Sequence, residues 1–187
     1  MKFRIEFRTP FRVATGRAGE GADSTVDPTA MLPASSLKGI MRSAARDLLR
    51  LDCRWVDLVY GRAWSPSPWA WSDATVGSQE APAPTRMRAR IQVTAETSTV
   101  TRGALVIAEE VLAHQATFTV ARVGWIRAEQ DRHEQILTAS ARAVTALGGD
   151  RRRGLGWVSI TPLDPPWVPG EADELVTALL DLPNLEV

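Results

Sequence analysis

The order of periodicities along the chain constrains its fold more than any other feature. Residues 2–8 alternate strictly: Phe3, Ile5 and Phe7 share one face, and Arg4, Glu6 and Arg8 share the other. That is the period of a half-buried strand. Leu37, Ile40, Met41, Ala44, Ala45, Leu48 and Leu49 then recur at helical spacing. They predict a helix from Ser35-Ser36, with a serine N-cap, to about Leu51. Strand signals follow at Trp69–Ala74, Arg88–Thr94, Ala104–Val111 and Thr117–Ile126, with a hairpin at Thr97–Gly103. A second helix is expected over Glu129–Leu147, closed by Gly148-Gly149. A last strand at Trp157–Ile160, a linker at Pro162–Pro169 and a short acidic helix at Glu171–Leu182 complete the chain.

Strand, helix, several strands, helix, strand fits an α+β fold. The expected core is ferredoxin-like (RRM-like), β-α-β-β-α-β, with inserted loops and a hairpin. At 187 residues one domain accommodates it without disulfide or metal. The expected division is a domain over residues 1–162, with an acidic linker and helix over 163–187 packed on it. The stretch Thr15–Pro33 is long for a loop, and loops of that length are usually functional or disordered.

No apolar run approaches the ~20 residues of a membrane span, and the N-terminal alternation is unlike a signal peptide. Cys53 is the only cysteine, so neither an internal disulfide nor a multi-cysteine zinc site is available. A cytoplasmic protein with no membrane partner is expected. Net charge is zero, yet residues 158–187 hold six acids and no Lys or Arg, which leaves the preceding residues with six excess positive charges. Twenty of the 22 cations are arginine, the side chain suited to bidentate phosphate contacts.

Two segments concentrate that charge. Lys38, Arg42, Arg46 and Arg50 recur every fourth residue along the first predicted helix, as a solvated face or a phosphate-facing ridge. Gly148–Gly156 holds Arg151, Arg152 and Arg153 among four glycines. Glycines let backbone approach a ligand and turn its amides outward, and three arginines suit a polyphosphate. The loop lacks the Gly-Lys-Ser/Thr ending of a P-loop and follows a helix, unlike a dinucleotide fingerprint. Asp23 and Asp27 are the acids best placed to recruit Mg2+ or another divalent metal beside a phosphate, or else to serve as turn residues. No organic cofactor is suggested. His114 and His133 lack zinc-type spacing and read as surface or structural residues. Trp55, Trp64, Trp69 and Trp71 are core fillers or base-stacking platforms.

Leu32-Pro33-Ala34-Ser35-Ser36-Leu37-Lys38-Gly39-Ile40-Met41-Arg42 resembles the Pro-Gly-Ser-Ser-Leu-Lys-Gly-x-x-Arg motif of the CRISPR-associated RAMP superfamily, with Ala34 in place of glycine. Residues 148–158 resemble its glycine-rich loop, Gly-Gly-x-x-x-Arg-Gly-x-Gly-x-Val. Val59-Tyr60-Gly61 with Trp71-Ser72-Asp73-Ala74, and Glu109-Glu110-Val111 with Phe118, resemble two further segments in the family's order. The resemblance covers about residues 1–160 and is strongest to the backbone subunit of type III effector complexes.

The resemblance implies an antiviral-defence role in binding CRISPR RNA and target RNA. The implied protein partners are other RAMP subunits and a large effector subunit. It implies guide-backbone contacts from Ser35, Ser36, Lys38, Arg42 and Arg46 on one side. On the other are Gly149, Arg151, Arg152, Arg153 and Gly154. It implies metal-dependent endoribonuclease activity at Asp23, with Asp27 as the fallback and Asp23 as the metal ligand. Two alternatives stand beside it: a non-catalytic structural or capping subunit, and a metal-independent guide-processing endoribonuclease using His114 or His133. The base-separating hairpin of the family is expected to be confined to about Thr94–Leu105.

Overall fold

The computed structural model describes residues 1–77, 83–96, 98–126 and 130–183. The chain order is β1 (Lys2–Phe7), α1 (Ala34–Ser43), α2 (Cys53–Tyr60), β2 (Trp69–Trp71), β3 (Thr75–Val76), β4 (Thr85–Arg90), β5 (Val106–Val111), β6 (Gln115–Arg122), α3 (Gln130–Ala143), β7 (Val158–Asp164) and α4 (Ala172–Leu180). The main sheet runs β2-β6-β1-β7, with β3 also paired to β6. β2 and β3 are two pieces of one broken edge strand, since both lie antiparallel on β6.

β1 lies at the centre because its alternation gives it a wholly apolar inner face. Phe3 and Ile5 are fully buried and Phe7 nearly so. Ile5 sits between Ala116 of β6 and Ile160 of β7, and Phe3 stacks on Phe118 with ring centroids 5.0 Å apart. Leu37 and Met41 of α1 and Ile136 and Leu137 of α3 join this core, all at 0% exposure. β1's polar residues form the other face of the sheet, as in an antiparallel sheet covered on one side. α4 packs on α3, and Trp55 Nε1 of α2 donates to the Pro183 carbonyl at 3.1 Å.

A second, two-stranded ribbon stands apart, β4 against β5, in register from Thr85↔Val111 to Arg90↔Val106. It continues toward its tip through a Val93↔Val100 bridge and the Thr94 N–H to Thr99 carbonyl bond at 2.9 Å. The hairpin thus extends well beyond the expected Thr94–Leu105. Thr97 lies outside the described residues. The long N-terminal loop is not free either. Ser24 bridges Ala108 in parallel, and the Asp23 N–H donates to the Ile107 carbonyl at 2.7 Å, so this stretch runs along β5.

Four further local expectations differ from the structure. α1 begins at Ala34 with Pro33 at the N-cap, not at a serine cap, and Asp73 Oδ1 takes the Ala34 N–H at 2.7 Å. Its last turn, Ala44–Leu48, widens into a π-helix, with the Leu49 N–H reaching the Ala44 carbonyl. That extra residue per turn rotates Leu48 out of the buried stripe to 62% exposure. Helix α3 stops at Ala143, short of Leu147, because Ala146 and Leu147 pair with Trp157 and Gly156. Its expected first residue, Glu129, lies outside the described residues. β7 continues past Ile160 to Asp164 because β1 still has edge to pair there, Phe3 with Pro162 and Lys2 with Asp164.

Candidate nucleic-acid interface

The glycine-rich loop is fastened to the segment that follows β1. The Gly149 N–H donates to the Arg12 carbonyl and the Gly156 N–H to the Pro10 carbonyl, each at 2.8 Å. These amides therefore face inward, contrary to the expectation that the loop would turn them toward a ligand. What it presents outward is side chains: Arg151–Arg153 form one exposed 3-10 turn between Asp150 and Gly154, both in the left-handed region.

Asp150 organises that turn. Its carboxylate takes a bond from Arg12 Nη2, lies 2.6 Å from Arg90 Nη1 and lies 3.6 Å from Arg153 Nη1. Burial alone would raise its pKa. The hydrogen bond from Arg90 and the charges of Arg12, Arg90 and Arg153 outweigh burial and hold it below the ordinary carboxylate value. Three segments distant in sequence thus meet on one acid. Arg151 and Arg152 have no acidic partner among the described residues.

The loop lies against α1. Arg151 lines a cleft with Ile40, Ser43 and Asp47. Helical geometry places Ser35, Gly39 and Arg46 outermost on α1, with Lys38 and Arg42 on the far flank. Ser35, Gly39 and Arg46 are exposed, and Ser36, Lys38 and Arg42 half-buried. The expected ridge is partly neutralised. Arg42 pairs with Asp57 at 2.9 Å and Arg46 with Asp47 at 2.7 Å. The Arg46 hydrogen bond, with another from Ser43, holds Asp47 down at about 2. Arg50 lies beyond the helix with φ +53°. Lys38 has its Nζ 5.3 Å from the Trp71 ring centroid, and burial, with Arg42 nearby, lowers its pKa.

The two candidate acids do different things. Asp23 is exposed, with Oδ2 accepting the Ile107 N–H at 2.7 Å. Asp27 closes a turn, its Oδ1 accepting from the Thr29 amide at 2.8 Å and the Thr29 hydroxyl at 2.6 Å, which lowers its pKa. Among the described residues no three His, Cys, Asp or Glu side chains gather as a metal site. His133 is buried at 2%, with Nδ1 accepting from Trp69 Nε1–H at 3.1 Å, while His114 is exposed. Trp55 and Trp69 are core residues and Trp71 is half-buried, whereas Trp64 is fully exposed.

The family model of the RAMP superfamily matches residues 4–159. The chain belongs to the RAMP superfamily. Comparison with curated proteins gives no match. Among solved structures, this RAMP protein is similar to a chain of the type III-B Cmr-beta complex bound to cognate target RNA, at 12% identity and TM-score 0.63, over 85% of this chain and 95% of that one. It is similar also to a chain of the apo state of Cmr-beta, at 13% identity, TM-score 0.63 and the same coverage. At that identity the likeness is one of fold. Arg12 and Arg90 are the residues of this RAMP protein's arginine knot that sequence reading missed. Each sits at no motif, and only the tertiary structure brings it to Asp150. No helix is long and apolar enough to cross a membrane among the described residues.

Proposed function

We propose that this RAMP protein is a CRISPR RNA-binding subunit of a type III-like effector complex. It grips the guide backbone between the Arg151–Arg153 turn and the exposed face of α1. The observation that carries this reading is the arginine turn itself, exposed beside α1 and anchored through Asp150, while Arg151 and Arg152 have no acidic partner among the described residues. A grip on phosphates alone is sequence-independent, as a guide-holding protein requires. Superfamily membership and the Cmr-beta fold support it. The antiparallel strand order β2-β6-β1-β7, with helices on one face, supports the ferredoxin-like assignment. The partners of this reading are guide and target RNA, other RAMP subunits and a large effector subunit, in the cytoplasm.

Target cleavage at Asp23 belongs to the same proposal. One carboxylate oxygen is tied to Ile107, which fixes the side chain on β5 and leaves the other free. Since no three His, Cys, Asp or Glu side chains gather there among the described residues, the protein would give a divalent cation few ligands, and RNA oxygens and water the rest. Such a cation would stabilise charge on the scissile phosphate as the 2′-hydroxyl attacks.

The test begins with RNA that co-purifies from the native host. Short RNAs with a common repeat-derived end are expected. Lys38→Glu with Arg152→Glu should weaken binding and flatten its salt dependence; unchanged affinity and slope would sink the grip. Target RNA should be cut with Mg2+ and spared by chelation or by Asp23→Asn. Bound but uncut target would assign the structural or capping role. Metal-independent cutting of precursor RNA would assign guide processing, for which the exposed His114 is available and the buried His133 is not.

A further inference from the structure

Strand β4 carries arginine at every second position, Arg86, Arg88 and Arg90, and so on one face. Its register with β5 places Glu110, Ala108 and Val106 opposite them on that face. Glu110 is 1% exposed. Its Oε2 accepts from Arg86 Nε and Nη2 at 3.2 and 3.1 Å, and its Oε1 from Arg88 Nη1 at 3.2 Å. The side chains of Arg86 and Arg88 nonetheless remain 50% and 42% exposed. Each guanidinium has five N–H donors, so most still point to solvent. Arg90 continues the row to Asp150, where Arg12 and Arg153 join. Five arginines thus share two carboxylates, and a row of excess positive charge extends from the glycine-rich loop along β4, away from the ribbon's tip.

At the foot of the row Arg90, Ile91, Gln92, Ala104, Val106 and Arg153 line a cleft of about 480 Å³. Two guanidinium groups that meet at Asp150 line it, and the exposed side chains of Ile91 and Val106 give it an apolar wall. Cation beside apolar wall is the combination that a nucleotide unit needs, phosphate on one and base or ribose on the other. The buried acids pre-orient the arginines, so less side-chain freedom is lost when an anion arrives.

We propose that this face of β4 is a second RNA-backbone contact. The strand would pass from Arg153 through the cleft to Arg90, Arg88 and Arg86. The ligand is the phosphodiester chain of single-stranded RNA. The proposal rests on the RNA-binding reading above and extends it to residues outside the loop and α1.

The experiment measures binding of fluorescein-labelled oligouridine by anisotropy over a salt series. Arg86→Gln/Arg88→Gln/Glu110→Gln removes the cations together with the acid they neutralise, and Glu110→Gln alone is its reference. The triple variant should bind several-fold more weakly than the reference, and its log–log salt slope should be shallower by about 1.4, at ~0.7 for each lost single-strand contact. Arg88→Gln alone leaves Arg86 on Glu110 and should lower the slope by about 0.7, so a triple variant that fails to fold does not end the test. A folded triple variant that matches Glu110→Gln in affinity and slope, or an Arg88→Gln variant that matches wild type, would overturn the proposal. Arg151→Gln/Arg152→Gln separates the two readings. If it weakens binding while the ribbon variants do not, the loop grip stands and the ribbon contact falls. If the wild-type protein binds no RNA, both fall.

Discussion

At the residue scale, two glycines of one loop make opposite demands. Gly148 has φ +76°, and a Cβ there would lie 2.3 Å from the Arg12 carbonyl oxygen. Gly154 has φ +81° with nothing within 4 Å of the same position. Gly154→Ala should therefore cost only the left-handed backbone penalty, about 1–2 kcal/mol. Gly148→Ala meets backbone as well and should cost roughly twice that, or displace Arg12 from Asp150. Denaturant midpoints of the two variants check the order. His133 gives a pH signature. Its ring is buried, Nε2 has no hydrogen-bond partner among the described residues, and desolvation lowers its pKa from 6.5. In that window the unfolded chain binds a proton that the folded one refuses, so stability rises with pH and is lost as pH falls below the unfolded value. His133→Gln keeps an acceptor for Trp69 without a titrating ring. It should flatten the loss in urea midpoint between about pH 7 and about pH 5; an equal loss in both proteins would place the titration elsewhere.

At the element scale, α1 depends on an acid from another strand. Asp73, just after β2, takes the first amide of a helix whose own N-cap is Pro33. Asp73→Ala should destabilise by about 1 kcal/mol, the usual worth of a capping side chain. It should do so chiefly at the α1 N-terminus, where hydrogen exchange of the Ser35 and Leu37 amides would quicken; unchanged exchange there would make the contact incidental. This contact also shows where sequence reading stops. The alternation of β1 and the helical stripe of α1 were legible because each is a local period. The cap spans 39 residues and has no local sign. Helix α2 is a different failure, since its signals were present. Asp52 caps it by accepting the Arg54 amide, Trp55, Val56, Val59 and Tyr60 form its buried stripe, and Gly61 ends it with φ +79°. Eight residues hold barely two turns, too few for a helical period to stand out. Of the interface, the arginine turn was legible because its residues are consecutive. The knot that holds it was not, because Arg12, Arg90 and Asp150 meet only once the sheet and ribbon have formed.

At the scale of the whole molecule, a net charge of zero conceals a separation. The arginines of the loop, α1 and the ribbon lie in the first 157 residues, while the last 30 carry only acids. Asp173, Glu174 and Asp181, on and just after α4, are exposed and make no ion pair among the described residues. If the proposed RNA-binding role holds, these unpaired acids would act on an approaching polyanion through their field, by repelling it from α4. Fields of this kind change encounter rates more than lifetimes. Asp173→Asn/Glu174→Gln/Asp181→Asn should raise the association rate with single-stranded RNA several-fold at about 20 mM salt. The difference should vanish near ~0.5 M, where the screening length falls to about 4 Å. Dissociation should be unchanged throughout. Stopped-flow anisotropy separates the two rates. A change carried by dissociation would mean that α4 touches the RNA directly, and no change in either rate would mean that the arginine face captures its ligand without help from the charge of the tail.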